Sequence, residues 1–99
     1  MKYIKFFGNW AFARCSSLAS VTIPASVTAF GFGAFEYCSS LANVTIPASV
    51  TSIGNMAFAD FTYMQTITVQ GKASQGAADA AWGADWRSNC NARIVYQGR

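Results

Sequence analysis

Apolar and polar positions recur along this chain with a beat of 23 residues. Gly8 to Phe30 reads GNWAFARCSSLASVTIPASVTAF and Gly31 to Ile53 reads GFGAFEYCSSLANVTIPASVTSI, with 16 of the 23 aligned positions identical. A third, degenerate copy starts at Gly54 as GNMAFADFTYMQTITVQ. It keeps Gly54, Ala57, Phe58 and Thr68 and sets Met64, Ile67 and Val69 where the earlier copies have Leu, Val and Ile. Run backwards, the frame puts Ile4 on the Val27 and Val50 position and Phe7 on the Phe30 and Ile53 position, so the first seven residues are the tail of a preceding unit. A unit this short cannot bury its own apolar side chains; stacking on its neighbours is what closes the core.

Two periods alternate inside each copy. Leu18, Val21 and Ile23 follow L-x-x-V-x-I, and Thr22 between Val21 and Ile23 gives the inside-outside alternation and β-branched content of a short strand, which Pro24 ends. Ala11, Phe12, Cys15 and Leu18 have spacings of three and four, the signature of a short helical turn after Gly8. Val27 and Phe30 add an extended apolar pair. Beyond the repeats, Ala77 to Arg87 is alanine-rich with Trp82 and Trp86 four apart, which predicts a helix whose tryptophans cover the last core layer. Asn91 to Gly98 aligns with Met64 to Gly71 and predicts a fourth and final strand at Ile94 to Tyr96. The expected organisation is one domain over 1–99: a partial repeat at 1–7, repeats at 8–30 and 31–53, a degenerate repeat at 54–76 and a C-terminal cap at 77–99.

The string AFxxCSSLxxVTIPxSVTxxG, present as Ala11 to Gly31 and again as Ala34 to Gly54, closely resembles the BspA-like type of leucine-rich repeat. The resemblance implies an α/β repeat solenoid: a short right-handed array with a parallel sheet on one side, short helices or turns on the other, and a helix-plus-strand cap. It further implies a non-enzymatic protein-binding module of a cell-surface or secreted protein, engaged in adhesion to proteins of a host cell or the extracellular matrix.

Composition narrows the chemistry. Of the 99 residues 53% are hydrophobic and 11% charged, and there is no His. That removes the commonest general base and metal ligand, so neither an enzyme nor a cofactor is expected. The net charge of +3 is the excess of seven basic residues over four acidic ones, and the basic residues Lys2, Lys5, Arg14, Lys72, Arg87, Arg93 and Arg99 form no cluster, so no nucleic-acid partner is expected. Cys15 to Phe35 is uncharged but carries Ser16, Ser17, Ser20, Thr22, Pro24, Ser26 and Thr28, which no membrane span would.

Cys15 and Cys38 lie one period apart, within disulfide reach. Phe61 takes the same position, however, so the place asks for an apolar group, and a ladder of buried thiols is expected. Cys90 is left over, and three cysteines without His have no zinc spacing. Gly31-Phe32-Gly33 is no phosphate loop, since Gly33 aligns with Trp10 and Met56. Ser16-Ser17 and Ser39-Ser40 lack an activating base. Asn43-Val44-Thr45 matches a glycosylation sequon by pattern only. The opening Met1 to Phe7 is a poor secretory signal, because Asn9 breaks it and its Ala-Phe-Ala recurs at Ala57 to Ala59. No export signal or anchor is therefore expected within this chain, which reads as a piece of a longer array.

Two surfaces remain as candidates. Strand alternation puts Ser20 and Thr22, Asn43 and Thr45, Thr66 and Thr68, and Arg93 and Val95 on the outward face. Four strands give an area on the order of 300 Å². A ladder of Thr22, Thr45 and Thr68 is also what β-branched residues form on any exposed strand, whereas variation along Ser20, Asn43, Thr66 and Arg93 favours recognition. A ligand that bypassed this face would use the convex side, at Arg14, Glu36, Tyr37 and Asp60. The second candidate is the N-terminal end, where Ile4, Phe6, Phe7 and Trp10 lack a preceding coil and would support self-association into a homo-oligomer.

Overall fold

The computed structural model describes residues 4–98; the first three residues of the partial repeat, with Lys2, and Arg99 lie outside the described residues. Strands β1 (Phe6–Phe7), β2 (Ala29–Phe30), β3 (Asn43–Ile46), β4 (Ser52–Ile53) and β5 (Thr66–Gln70) precede helix α1 (Gln75–Trp82). A 3-10 turn at Ala84–Arg87 and strand β6 (Arg93–Gln97) complete the chain. The strands form two three-stranded parallel sheets, β1-β2-β4 and β3-β5-β6. Register follows the sequence repeat. Phe7 sits beside Phe30, which sits beside Ile53, and Asn43 sits beside Thr66, each 23 residues on, with Arg93 next in line.

Each coil puts one aromatic on a shared column. Phe12 stacks on Phe35 at 5.3 Å between centroids, Phe35 on Phe58 at 5.6 Å, and Phe58 meets the edge of Trp86 at 6.1 Å. Phe7 and Phe30 form a second stack at 5.6 Å. The β3 pattern explains its own burial: Val44 and Ile46 point into the core while Asn43 and Thr45 face out. After Ile23 and again after Ile46 a Pro-Ala-Ser-Val turn reverses the chain, with the Val27 amide donating to the Pro24 carbonyl and the Val50 amide to that of Pro47.

The segment read as a helical turn is instead two tight turns in each coil. Trp10 and Arg14 have φ of 54° and 60°, Gly33 and Tyr37 of 60° and 58°, and Met56 and Asp60 of 60° and 66°. A spacing of three and four suits a helix face, but a left-handed residue at both ends of the segment breaks any helical run. Neighbouring coils satisfy the backbone instead: the amides of Trp10, Phe12 and Arg14 donate to the carbonyls of Phe32, Ala34 and Glu36, each at 2.8 Å. The coils approach so closely here that a Cβ at Gly31 would stand 2.6 Å from the Asn9 amide nitrogen, and one at Gly54 2.5 Å from that of Phe32. This contact is why the unit begins with glycine.

Five further expectations need correction. The single sheet of four strands is two sheets of three. Val21 to Ile23 lies outside both, although Ile23 is buried, because it makes no backbone ladder with β3. The tail residues Ala29–Phe30, with Phe6–Phe7 and Ser52–Ile53, build the second sheet, where the sequence suggested only an extended pair at Val27 and Phe30. Met64 does not take the buried Leu position: it is 75% exposed, and Gln65 turns inward in its stead. The Gln65 amide nitrogen donates to the carbonyls of Cys38 and Leu41 at 2.8 and 2.9 Å, and its oxygen accepts from the Thr62 amide. Three hydrogen bonds thus offset the burial of a polar side chain. Finally, the cap helix stops at Trp82, where Gly83 at φ 81° breaks the chain into the 3-10 turn.

Candidate functional site

Away from the strand face, five Ser and Thr side chains tie one coil to the one before it. Ser26 donates to the Ile4 carbonyl at 2.6 Å and Ser49 to that of Val27 at 2.7 Å, while Thr28 and Thr51 donate to Lys5 and Thr28. Ser40 bonds the Ser16 carbonyl in the same manner. On the outward strand face the pattern differs. Among the described residues, the side chains of Ser20, Thr22, Asn43, Thr45, Thr66, Thr68 and Arg93 make no internal hydrogen bond.

Register gathers these residues into two rows, Asn43, Thr66 and Arg93 in one and Thr45, Thr68 and Val95 in the other. Asn43, Thr45 and Arg93 are exposed; Thr66, Thr68 and Val95 are half-buried. Ser20 and Thr22 are exposed as well, but they lie on the segment that does not join the sheet. The face therefore has three strands, about 240 Å² at ordinary strand spacing.

Sequence reasoning missed two neighbours of this face. Tyr63 and Met64, 80% and 75% exposed, stand at the entry to β5 where the second repeat has Ser40 and Leu41. The signal was their departure from the repeat; reading Met64 as a substitute for Leu concealed it. Exposed aromatic and methionine side chains beside a polar face are favoured components of protein contacts.

The N-terminal set divides. Phe6 is 57% exposed and Trp10 is 53% exposed, its ring resting edge-on against Phe32. Ile4 is half-buried. Phe7 is buried between Phe12, Phe30 and Phe35, so it belongs to the core and is withdrawn from the contact set. On the turns, the Arg14 guanidinium lies over the Tyr37 ring, and Asp60 follows in the next coil.

The ionisable groups serve the packing. Burial pushes the Cys38 thiol up to about 11, and Cys38 donates to the Phe12 carbonyl at 3.0 Å. Cys15, Cys38 and Cys90 are all free, Cys15 half-buried and Cys38 fully so. Burial also raises Cys90 and Tyr96. In the cap, Arg87 grips Asp79 through two hydrogen bonds of 3.0 and 2.6 Å, and Trp86 donates to the same carboxylate at 2.9 Å. The Arg87 hydrogen bond leads in holding the Asp79 carboxyl below the usual carboxylate range. Among the described residues no group of three or more His, Cys, Asp or Glu could hold a metal ion, and no helix is long and apolar enough to cross a membrane.

The family model for the BspA-type leucine-rich repeat region (6 copies) matches residues 2–80. No curated protein and no solved structure matches the chain.

Proposed function

Because this chain belongs to the BspA-type leucine-rich-repeat family, whose repeats are protein-interaction modules, we propose that it is a non-enzymatic binding module of a surface or secreted adhesion protein. In this reading it is a short solenoid that contacts proteins of a host cell or extracellular matrix through the outward face of β3, β5 and β6. One observation carries the reading: Ser26, Thr28, Ser40, Ser49 and Thr51 tie their side chains to the preceding coil, while Asn43, Thr45, Thr66, Thr68 and Arg93, gathered in register on one face, keep theirs free. Tyr63 and Met64 at the border supply the apolar part of the contact. A face of about 240 Å² is well below the roughly 800 Å² each partner gives to a standard interface. Single-copy binding is accordingly weak, and strength comes from a longer or multivalent array.

Immobilised collagen, fibronectin and laminin, probed with the purified chain displayed multivalently on beads, test the proposal. At least one should capture the beads, and the triple variant Asn43→Glu, Thr45→Glu, Arg93→Glu should lose capture while keeping its circular dichroism and melting temperature. Unchanged capture by the folded variant would move the contact off this face, and no capture by any of the three would count against matrix adhesion.

A further inference from the structure

Three successive coils carry their turns in register. The amides of Trp10, Phe12 and Arg14 donate to the second coil, and those of Gly33, Phe35 and Tyr37 donate to Asn55, Ala57 and Ala59 of the third. Positions 23 residues apart therefore lie side by side, about 4.8 Å per coil at ordinary strand spacing. The left-handed corners form two rows: Trp10, Gly33 and Met56 in one, and Arg14, Tyr37 and Asp60 in the other.

The side chains of these rows are not used up by the fold. Trp10, Tyr37, Arg14 and Asp60 are exposed, and Met56 is half-buried. The Trp10 ring lies over Gly33 and against Phe32, and the Arg14 guanidinium stands 5.6 Å from the centre of the Tyr37 ring, so aromatic surface spreads across the middle coil. Among the described residues Arg14, Glu36 and Asp60 make no ion pair, whereas Arg87 is held by Asp79. From one end of the stack to the other the second row thus reads cation, aromatic ring, anion. The first reads aromatic ring, glycine, thioether.

Such a face complements itself when reversed. We infer that two copies of this chain pair through it, antiparallel, about a two-fold axis that runs along the middle coil in the plane of contact. Tyr37 then meets the partner's Tyr37 on the axis, Arg14 meets the partner's Asp60, and Trp10 meets the partner's Met56, each of the last two contacts occurring twice by symmetry. Charge complementarity selects a second copy: every unpaired cation of the row finds an anion. Ring against ring and thioether against ring supply the apolar part. One contact opposes the pairing. Glu36, on the middle coil, meets the partner's Glu36, while the partner's Arg14 and Asp60 stand one coil to either side of it and offset each other. Three coils give a patch much smaller than the roughly 800 Å² each partner gives to a standard interface, so the pair is weak and forms as concentration rises. The face of β3, β5 and β6 takes no part in the contact, and the inference stands apart from the binding reading.

Sedimentation equilibrium with a thiol reductant present, from about 10 μM to about 1 mM chain, spans the range of a weak pair. The mass of the native chain should rise from monomer toward dimer and no higher. Arg14→Asp and Asp60→Arg use residue types that the row already holds at its left-handed corners, so both should keep the native circular dichroism and melting temperature. Each alone sets like charges face to face and should stay monomeric throughout. Their equimolar mixture should pair, because the acidic replacement on one copy faces the basic replacement on the other, and the untouched Asp60 faces the untouched Arg14. Glu36→Gln removes the opposing contact and should tighten pairing about threefold; it decides the matter if either charge variant loses its fold. A native mass that stays monomeric or grows beyond dimer would overturn the inference. So would native-strength pairing of either charge variant alone, a monomeric mixture of the two folded variants, or unchanged or weaker pairing in Glu36→Gln.

Discussion

Identical residues live in different surroundings here, and the difference has chemical consequences. Cys38 is enclosed between coils and its thiol is pushed up from 9.0 to about 11 by burial, against a smaller opposing contribution from a backbone hydrogen bond at Cys15. A thiol that stays protonated in the folded chain but ionises near 9 when unfolded contributes stability that is complete below pH 9 and lost as pH rises from about 9 to 11. The urea midpoint of the native chain should therefore fall across that interval, and fall less steeply in Cys38→Ala. Tyr96, also raised by burial, acts in the same direction in both proteins, so the comparison isolates Cys38. Equal slopes for the two proteins would refute this account of the thiol. Phe61 at the equivalent place in the third coil already indicated an apolar site. What that substitution could not indicate is that Cys15 is only half covered, because coverage depends on which coil lies above it and not on the residue itself.

At the level of single elements, the close passage of one coil over the next sets the demand for glycine. Gly54→Ala forces a Cβ to 2.5 Å from the Phe32 nitrogen and 2.6 Å from the Gly31 carbonyl carbon, neither of which can move aside as a flexible side chain does. Its expected cost is about 2 kcal/mol or more, of the size that follows overpacking. Gly8→Ala, at the same repeat position with nothing overhead, should change stability by less than about 0.5 kcal/mol. Chemical denaturation of the two variants checks the contrast, and similar losses in both would contradict it.

The elements also show what sequence periodicity can and cannot deliver. The register of β3 on β5, the tail of β1 on β2 and the alignment of β6 with β5 all follow from counting 23 residues and aligning Arg93 with Thr66. The outward rows of the candidate face followed from the same alternation. Less accessible was the exchange of Met64 for Gln65, because a hydropathy pattern places Met inside and does not see two carbonyls, Cys38 and Leu41, waiting for an amide. Two-residue strands such as β2 and β4 are too short to show alternation and gain their identity only from the coils beside them. The turn residues Arg14, Tyr37 and Asp60 share a left-handed conformation but no common chemistry, so nothing in their side chains announced it.

Taken whole, the molecule is a stack with unequal ends, 33 × 31 × 19 Å in extent. Its C-terminal end is sealed by Trp82, Trp86 and the Asp79–Arg87 pair, while among the described residues the first coil is held from both sides only along its tail, where β1 pairs with β2. That inequality accounts for several separate facts: the partial burial of Phe12 and Leu18, the tolerance expected at Gly8, and the failure of Val21 to Ile23 to join the sheet. Amide hydrogen exchange resolved by NMR tests it most directly, because each coil carries its own copy of the same positions. The stack predicts slow exchange at Phe12, Arg14, Phe35, Tyr37, Asp60, Thr66 and Arg93, whose amides donate to a neighbouring coil or the cap, and fast exchange at Asn43, which has the Thr66 position but no bond to the first coil. Equal protection at Asn43 and Thr66, or exchange without protection at Phe35 and Tyr37, would contradict it.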